Sequence, residues 1–309
     1  MSARPFDRIA IIGAGLIGAS IARAAAGYHA CREIAIFDTD EAVRRSAAEL
    51  ALGTVCESAE TAVAGADCVF LCVPSGALGA AARACAPALK AGAILTDVGS
   101  VKAAASEQMR AATPERVHLV PGHPIAGTEE SGPRAGFARL FTDRWHILTP
   151  LEDCRGPDYD AALARLTGFW ERLGAKVETM DPERHDRVLA ITSHLPHLIA
   201  YNIVSTAYDM ESVDEGEVVK YSAGGFRDFT RIAASDPVMW RDVFLNNKAA
   251  VLEALGRFSE DLAALQRAIR WDDGETLMRE FSRARGIRKA IIEAGQDSDA
   301  TNFGRDSKG

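Results

Sequence analysis

Two short stretches of the chain carry the residue types that a proton transfer would need. His123 stands between Gly122 and Pro124, in a polar run rich in glycine and proline that follows a predicted strand. Ser100 follows another predicted strand, and both residues are therefore expected at strand ends. A histidine, whose ordinary pKa is about 6.5, suits a general base at neutral pH. We interpret His123 as a candidate base in a site loop, with a turn-capping histidine as the alternative.

Two further histidines and a pair of arginines are candidates for binding a substrate. His194 and His197 lie three residues apart in a predicted helix and so share one face. Because the H-E-x-x-H spacing is absent, we favour hydrogen bonding to a substrate and predict no metal site. Arg227 and Arg231 lie four residues apart, where an arginine could clamp a carboxylate in bidentate fashion. A surface ion pair with Asp228 or Glu217 is the alternative, for Arg227 more than for Arg231.

A glycine-rich turn near the start of the chain indicates where a phosphate would bind. Gly13, Gly15 and Gly18 follow the apolar run 9–12 and precede a helical pattern. In this G-x-G-x-x-G spacing the first glycine permits a tight turn, and the second lets a pyrophosphate approach the backbone. The third brings the helix close to the strand. The start of a helix also favours an anion through its free N–H groups and its dipole.

The next predicted strand ends on Asp38, twenty residues after Gly18. An acid at this place accepts hydrogen bonds from the ribose hydroxyls and would repel the 2′-phosphate of NADP, so the sequence predicts NAD as the cofactor. A glycine-rich turn with an incidental aspartate is the alternative. The residues that we assign to the cofactor are Gly13, Gly15, Leu16, Ile17, Gly18, Asp38 and, in the loop after a third strand, Val73, Pro74 and Ser75.

Strand and helix patterns alternate as far as residue 180, which predicts an α/β domain with a Rossmann-type doubly wound sheet. From Asp181 to about Ala294 long helical patterns dominate, which predicts an all-α domain for substrate binding and dimerisation. We expect a homodimer, because a helical domain this extended rarely buries all its apolar surface alone. The predicted domains are 1–180 and 181–294, followed by a polar tail, 295–309, that is predicted to be disordered.

Composition limits the partners of this 309-residue chain. Its net charge of −8 argues against nucleic acid or an anionic membrane as a partner. We expect no transmembrane helix, because no apolar span of about 20 residues is free of charge. The six cysteines lack C-x-x-C spacing and lie mostly in apolar runs, which predicts reduced thiols and a cytoplasmic protein.

Taken together, these motifs resemble those of the prephenate/arogenate (cyclohexadienyl) dehydrogenases of tyrosine biosynthesis. The resemblance extends from Arg8 to about Ala294, and it is carried by the stretches 13–18, 97–102, 122–127, 193–197 and 225–231. It implies oxidative decarboxylation of prephenate or arogenate. In that reaction hydride leaves C4 of the cyclohexadienyl ring for the nicotinamide of NAD, and the ring carboxylate departs as CO2.

The resemblance also implies a role for each site residue. His123 would accept the proton of the substrate 4-hydroxyl, and Ser100 would hold that hydroxyl and the nicotinamide. Arg231 would pair with a substrate carboxylate, and His197, with His194 on the same helix face, would hold the substrate. Further pocket positions, some supplied by a partner subunit, would be Thr128, Glu129 and Trp240. Feedback inhibition by tyrosine, where present, is expected at the active site.

Two other classes of protein remain as alternatives. A β-hydroxyacid dehydrogenase or an imine reductase would place a lysine or another acid–base group in the helical domain. A non-catalytic dinucleotide sensor would not need Ser100, His123 and Arg231 together. The His123 stretch therefore favours a cyclohexadienyl dehydrogenase, while the choice between prephenate and arogenate stays open.

Overall fold

The structure, a computed structural model, describes residues 4–128, 130–154, 156–211 and 224–293. The chain divides into two compact units, Met1–Val251 and Leu252–Gly309. The predicted boundary at 180/181 falls inside the first unit and stays a prediction. The strands of the described residues are β1 (Arg8–Ile12), β2 (Glu33–Phe37), β3 (Thr54–Val55), β4 (Cys68–Leu71), β5 (Ile94–Asp97), β6 (His118–Leu119), β7 (Gly122–Pro124), β8 (Trp145–Leu148) and β9 (Lys176–Thr179).

Six strands form a parallel sheet in the order β3-β2-β1-β4-β5-β6. This is the strand order of doubly wound dinucleotide-binding domains, and it confirms the predicted Rossmann-type fold. The central strands β1 and β4 are apolar along almost their whole length because helices cover both faces of the sheet. Its helices are α1 (Leu16–Gly27), α2 (Glu41–Glu49), α3 (Ala59–Val63), α4 (Leu78–Cys85), α5 (Ala103–Arg110) and α6 (Pro157–Arg172).

A second, smaller sheet holds the strand that carries His123. β7 pairs antiparallel with β8, and β8 pairs parallel with β9. Two predictions were therefore wrong: β8 and β9 do not continue the first sheet, and His123 lies on a short strand opposite Ile147, not in a loop. The chain leaves the first sheet at Pro121, which has no N–H for a ladder but accepts a hydrogen bond from Thr149 N at 2.9 Å.

The described residues after β9 are helical or in turns. Their helices are α7 (Pro182–Leu189), a π-helical turn (Ala190–His194), α8 (Leu195–Glu211), α9 (Gly224–Thr230), α10 (Pro237–Asn246), α11 (Lys248–Arg270) and α12 (Gly274–Glu293). The Asp181 side chain caps α7 by accepting a hydrogen bond from Arg184 N. The helical pattern that starts at Pro237 predicts one long helix to about residue 269, and this prediction was wrong, because Asn247 leaves the helical conformation at φ −110° and ψ 34°. The predicted tail, 295–309, lies outside the described residues.

The run Pro182–Met210 is more apolar than the sequence analysis expected. Among the described residues it is long and apolar enough to cross a membrane, with a mean hydropathy of 1.2 over its best window. Yet it also carries His185, Asp186 and His194, whose buried side chains are hydrogen-bonded to other parts of the first unit. Its exposed apolar side chains form the kind of surface that a second subunit covers.

Candidate active site

The glycine-rich turn between β1 and α1 is sterically restricted at two places. Gly13 has a φ of +97°, which favours glycine, and a Cβ there would collide with the carbonyl oxygen of Cys72. A Cβ on Gly18 would collide with the carbonyl oxygen of Gly13. The turn therefore packs tightly against the end of β4, where Val73 lies against Gly13.

Gly15 differs, because a Cβ built on it would meet nothing within 4 Å. Gly15 is the N-cap of α1. No side chain accepts hydrogen bonds from the free backbone N–H groups of the first helical turn, which starts with Leu16 and Ile17. These backbone donors, together with the helix dipole, fit a pyrophosphate that takes the space in front of Gly15. The residues present at this edge therefore fit a bound dinucleotide.

Asp38 joins the end of β2 to the glycine-rich turn. Its Oδ2 accepts a hydrogen bond from Ala14 N at 2.8 Å, and its Oδ1 accepts one from Asp40 N at 2.9 Å. Each carboxylate oxygen has a second lone-pair site, so Asp38 can still accept hydrogen bonds from ribose hydroxyls. In the loop after β4, Ser75 is buried and Pro74 is exposed.

His123 belongs to a buried chain of hydrogen bonds that ends on a carboxylate. Its Nδ1 lies 2.9 Å from His185 Nε2, and His185 Nδ1 lies 2.8 Å from Asp186 Oδ1. Asp186 also accepts hydrogen bonds from Lys102 N at 2.8 Å and from Ala103 N at 2.9 Å, at the start of α5. Asp186, a residue of α7, therefore both caps α5 and orients His185.

The carboxylate at the end of this chain determines where both imidazoles carry their protons. An ionised carboxylate only accepts hydrogen bonds, so neutral His185 carries its proton on Nδ1 and its Nε2 is an acceptor. His123 must then donate from Nδ1 to His185, which leaves His123 Nε2 without a proton. The arrangement therefore gives His123 the tautomer that a general base needs.

Burial keeps these imidazoles neutral. The pKa of His123 lies well below 6.5, first because of burial and then because His185 and Lys102 lie nearby. The pKa of His185 is also lowered by burial, although the hydrogen bond to Asp186 opposes this effect. The pKa of His194 is lowered to about 4, again chiefly by burial. Near pH 7 the cluster can therefore accept a proton.

His194 is held by the residue that interrupts the helical run between α10 and α11. Asn247 Nδ2 donates to the backbone carbonyl of Asp186 at 2.8 Å and faces His194 Nδ1 at 3.1 Å. His194 Nδ1 is therefore an acceptor and its Nε2 carries a proton; this buried donor makes no hydrogen bond of good geometry among the described residues, although the backbone of Ser100 lies near enough to favour the protonated ring. The Trp240 ring stacks on His197 at 3.7 Å between centroids and meets His194 edge-on at 6.0 Å.

The other predicted site residues lie at differing distances from this cluster. The backbone of Ser100 lies beside His194, and the charge of Arg231 acts on His197, so these four residues belong to one region. Thr128 lies in an exposed turn, where its hydroxyl accepts a hydrogen bond from Glu130 N at 3.2 Å. Glu129 lies outside the described residues. No cluster of metal-binding side chains occurs among the residues that the structure describes.

Three functional residues, His185, Asp186 and Asn247, were not predicted from the sequence. Of the seven histidines, only His123, His194 and His197 stood in a recognisable sequence pattern, so the role of His185 was overlooked. Its sequence neighbours look like an ordinary polar first turn, and its partners lie 62 or more residues away or directly beside it. An aspartate next to a histidine in the same segment as His194 and His197 was the available signal.

Comparisons with known proteins agree with this arrangement. Residues 21–179 match the family model "Prephenate dehydrogenase, nucleotide-binding domain", and residues 181–283 match "Prephenate dehydrogenase, dimerization domain". A cyclohexadienyl dehydrogenase of Zymomonas mobilis is 44% identical over 93% of this chain and 96% of its own length. A prephenate dehydrogenase of Bacillus subtilis is 32% identical over 92% of this chain and 76% of its own length.

A solved structure has the same architecture. The prephenate dehydrogenase of Aquifex aeolicus, crystallised with hydroxyphenyl propionate and NAD+, is 33% identical and superposes with a TM-score of 0.84. That match covers 92% of this chain and 98% of the other. By sequence, by fold and by the residues at the carboxyl edge of its sheet, this chain belongs to the prephenate dehydrogenase family of NAD-dependent enzymes.

Proposed function

We propose that this protein oxidises and decarboxylates prephenate, arogenate or both, with His123 as the proton acceptor. The observation that carries the proposal is the chain His123–His185–Asp186, which lies where the Rossmann-type sheet presents a dinucleotide to a substrate. The products are 4-hydroxyphenylpyruvate from prephenate and tyrosine from arogenate. Aromatisation of the ring drives the step, so the protein mainly has to orient the substrate and take up a proton.

His123 removes the proton of the substrate 4-hydroxyl through Nε2. The hydrogen bond to His185 keeps the proton of neutral His123 on Nδ1, and the lowered pKa keeps the ring unprotonated near pH 7. When Nε2 takes up the substrate proton, the cationic ring is stabilised through His185 by the carboxylate of Asp186. This is the task that a third group performs for a catalytic histidine in other enzymes.

The surrounding residues bind and orient the substrate. Ser100 holds the 4-hydroxyl at the carboxyl end of β5, and His194 offers its Nε2–H, which lies beside the backbone of Ser100, as a donor. Arg231 pairs with a carboxylate of the substrate. His197 donates from Nδ1 to the Ser193 carbonyl at 2.9 Å, so its Nε2 is left as an acceptor. Further pocket positions are Trp240, Thr128 and Glu129.

The cofactor is NAD, held by the glycine-rich turn, by Asp38 and by the loop after β4. When bound, it supplies an acceptor for the hydride that leaves C4 of the substrate. Asp38 selects NAD over NADP because its carboxylate accepts hydrogen bonds from ribose hydroxyls and repels a 2′-phosphate. Burial of Ser75 and the close packing of Val73 on Gly13 keep this edge in a fixed shape.

Three properties of the assembly belong to the same proposal. The protein is a homodimer whose helical part supplies the interface, which the match to a dimerization domain and the exposed apolar side chains support. Tyrosine, as a product or product analogue, competes with the substrate at the active site. The enzyme acts in the cytoplasm.

The direct test is an assay of the purified protein with each substrate and each cofactor. We expect NADH and CO2 in equal amounts from prephenate, arogenate or both, with kcat/KM for NAD well above that for NADP. Equal kcat/KM for the two cofactors would contradict the role of Asp38. If the protein oxidised neither prephenate nor arogenate, this result would contradict the proposed function as a whole.

A further inference from the structure

Lys102 is a lysine with no exposed side-chain surface, which is unusual because burying an ammonium ion is costly. It forms an ion pair with Asp97, which is equally buried, and its Nζ also donates to the backbone carbonyl of Gly122 at 2.8 Å. Neither residue was assigned a role by the sequence analysis. A pair of charges in such a place needs a reason other than stability, since apolar residues of similar size are often as stable.

The ion pair contacts the backbone directly before Ser100 and directly before His123. Asp97 accepts hydrogen bonds from Gly99 N at 2.8 Å and from Gly122 N at 3.2 Å. Gly122 is thus held at both its N–H and its carbonyl. Gly99 directly precedes Ser100, and Gly122 directly precedes His123. The ion pair therefore joins the backbone before one functional residue to the backbone before the other.

Close packing leaves little freedom at this junction. A Cβ on Gly122 would lie 2.7 Å from His146 Nε2 and 3.1 Å from Leu148 Cδ2, so only glycine lets the strand approach β8 this closely. The backbone N–H of Lys102 in turn donates to Asp186, which orients His185. The two residues consequently contact the backbone before Ser100, the backbone before His123 and the carboxylate that orients His185.

We propose that Asp97 and Lys102 are positioning residues, whose buried ion pair holds Ser100 and His123 in the relative arrangement that the reaction needs. This inference rests on the function proposed above. Neither residue touches the reacting atoms, so the pair acts through the backbone that it holds. It acts also through its charge, because the ammonium lies near the imidazole cluster.

The titratable and charged groups around Lys102 and His123 define the expected pH effect. They are Asp97 on β5, His123 on β7, His146 on β8, His185 and Asp186 on α7, and His194 on the π-helical turn. The Lys102 ammonium contributes to the lowered pKa of His123, of His146 and of His185. Removal of this ammonium should therefore raise the pKa of His123.

The test compares Lys102→Met with Lys90→Met. Lys90 forms the same kind of pair with Asp67, but at the opposite, solvent-exposed edge of the sheet. We expect Lys102→Met to lower kcat by about 10²-fold, a loss that a displacement of about 1 Å at a site can cause. The acidic limb of its kcat/KM profile should move to higher pH. Lys90→Met should keep the wild-type kcat and profile.

Because Lys102→Met leaves a buried carboxylate unpaired, it could fail to fold. The double variant Asp97→Asn/Lys102→Met removes both charges and keeps an acceptor oxygen at position 97, and we expect it to fold with a lowered kcat. Folded variants that keep the wild-type kcat and pH profile would overturn the proposal. A lowered Tm with unchanged kcat and profile would also overturn it, because it would show a merely structural role.

A second measurement separates this inference from the proposed function. If the wild-type enzyme oxidised neither substrate, the proposed function would fail, but NMR titration of the His123 ring would still report on Lys102. A higher pKa of His123 in the Lys102 variant than in the wild type supports the inference. Equal pKa values in the two proteins would overturn it.

Discussion

The parallel sheet carries one lysine–aspartate pair at the amino ends of its strands (the amino edge) and another at their carboxyl ends (the carboxyl edge). The two pairs differ chiefly in their access to water. At the amino edge, Asp67 accepts hydrogen bonds from Asp7 N and Arg8 N and pairs with Lys90, whose side chain is 42% exposed. At the carboxyl edge, Asp97 also binds two backbone N–H groups and a lysine, but both side chains are 0% exposed.

The same kind of ion pair therefore has a different role at each of the two edges. The amino-edge pair is solvated, so it is worth little beyond the backbone bonds that tie β1 to β4. Burial by itself would raise the pKa of Asp67. Hydrogen bonds from Lys90 and from backbone N–H groups have the larger combined effect, so the pKa of Asp67 is lowered. The carboxyl-edge pair lies beside histidines that must stay neutral. We infer that burial of such an ion pair, more than its presence, distinguishes a pair that positions functional residues from a pair that only stabilises the fold.

The largest expected effect comes from His123→Asn at the carboxyl edge. Asparagine keeps polarity and approximate size but cannot accept the substrate proton as a base, so kcat should fall by roughly 10²–10⁴-fold. The KM values for substrate and NAD should change much less. His118→Asn, on the neighbouring strand β6, is the matched control and should stay near wild-type activity in the same steady-state assay.

Asp186→Asn should have the next largest effect. The carboxylate accepts from Lys102 N on one oxygen and from Ala103 N on the other, whereas the amide has a single acceptor oxygen and so loses one of these two hydrogen bonds. It also no longer fixes the tautomer of His185 as a carboxylate does. We expect kcat to fall by about 10–10²-fold, as is common for residues that orient a functional side chain. The idea fails if a folded Asp186→Asn enzyme has wild-type kcat and an unchanged pH profile.

Mild acid should affect the carboxyl edge before the amino edge. Five histidines have lowered pKa values in the folded chain: His123, His146, His185, His194 and His197. Below pH 6.5 the unfolded chain takes up protons that the folded chain does not, so stability falls as pH falls. Each such histidine costs up to about 1.4 kcal/mol per pH unit.

Asp67 behaves in the opposite sense and in a different range. Its folded pKa lies below 3.8, so its contribution to stability is present above about pH 3.8 and is lost only at lower pH. Urea unfolding between pH 7.5 and 5.5 measures the histidine effect alone. A free energy of unfolding that stays constant over this range would contradict the assignment of these histidines as neutral.

The smallest effect is expected for Lys90→Met. An exposed ion pair contributes about 0–1 kcal/mol, and Asp67 keeps its two backbone hydrogen bonds without the lysine. Urea unfolding should show a loss of at most about 1 kcal/mol, with kcat unchanged. A loss of several kcal/mol would mean that the two edges are more alike than their exposure indicates.

Local patterns in the sequence were sufficient to predict a Rossmann-type domain and NAD as its cofactor. The glycine spacing and Asp38 are read within about 30 residues of chain, and parallel strands bring their carboxyl ends to one edge whatever the loops contain. Ser100 and His123 could be proposed for the same reason, because each follows a strand pattern. The helical nature of the described residues after Asp181 also followed from periodicity.

The support of the site could not be predicted in this way. Asp186 contacts the start of α5 across 84 residues, and Asn247 contacts Asp186 across 61, so no local pattern reveals either contact. The break at Asn247 was hidden inside a continuous helical pattern. The second sheet was missed because β7 is three residues long and looks like a glycine–proline loop.

The pH dependence of kcat/KM in the wild type and in His123→Asn tests the central claim most directly. We predict that the wild-type profile has an acidic limb with an apparent pKa below 6.5, because burial and neighbouring positive groups lower the pKa of His123. In His123→Asn this limb should disappear along with most of the rate. A His123→Asn enzyme that keeps the wild-type rate and the same acidic limb would show that another group accepts the proton.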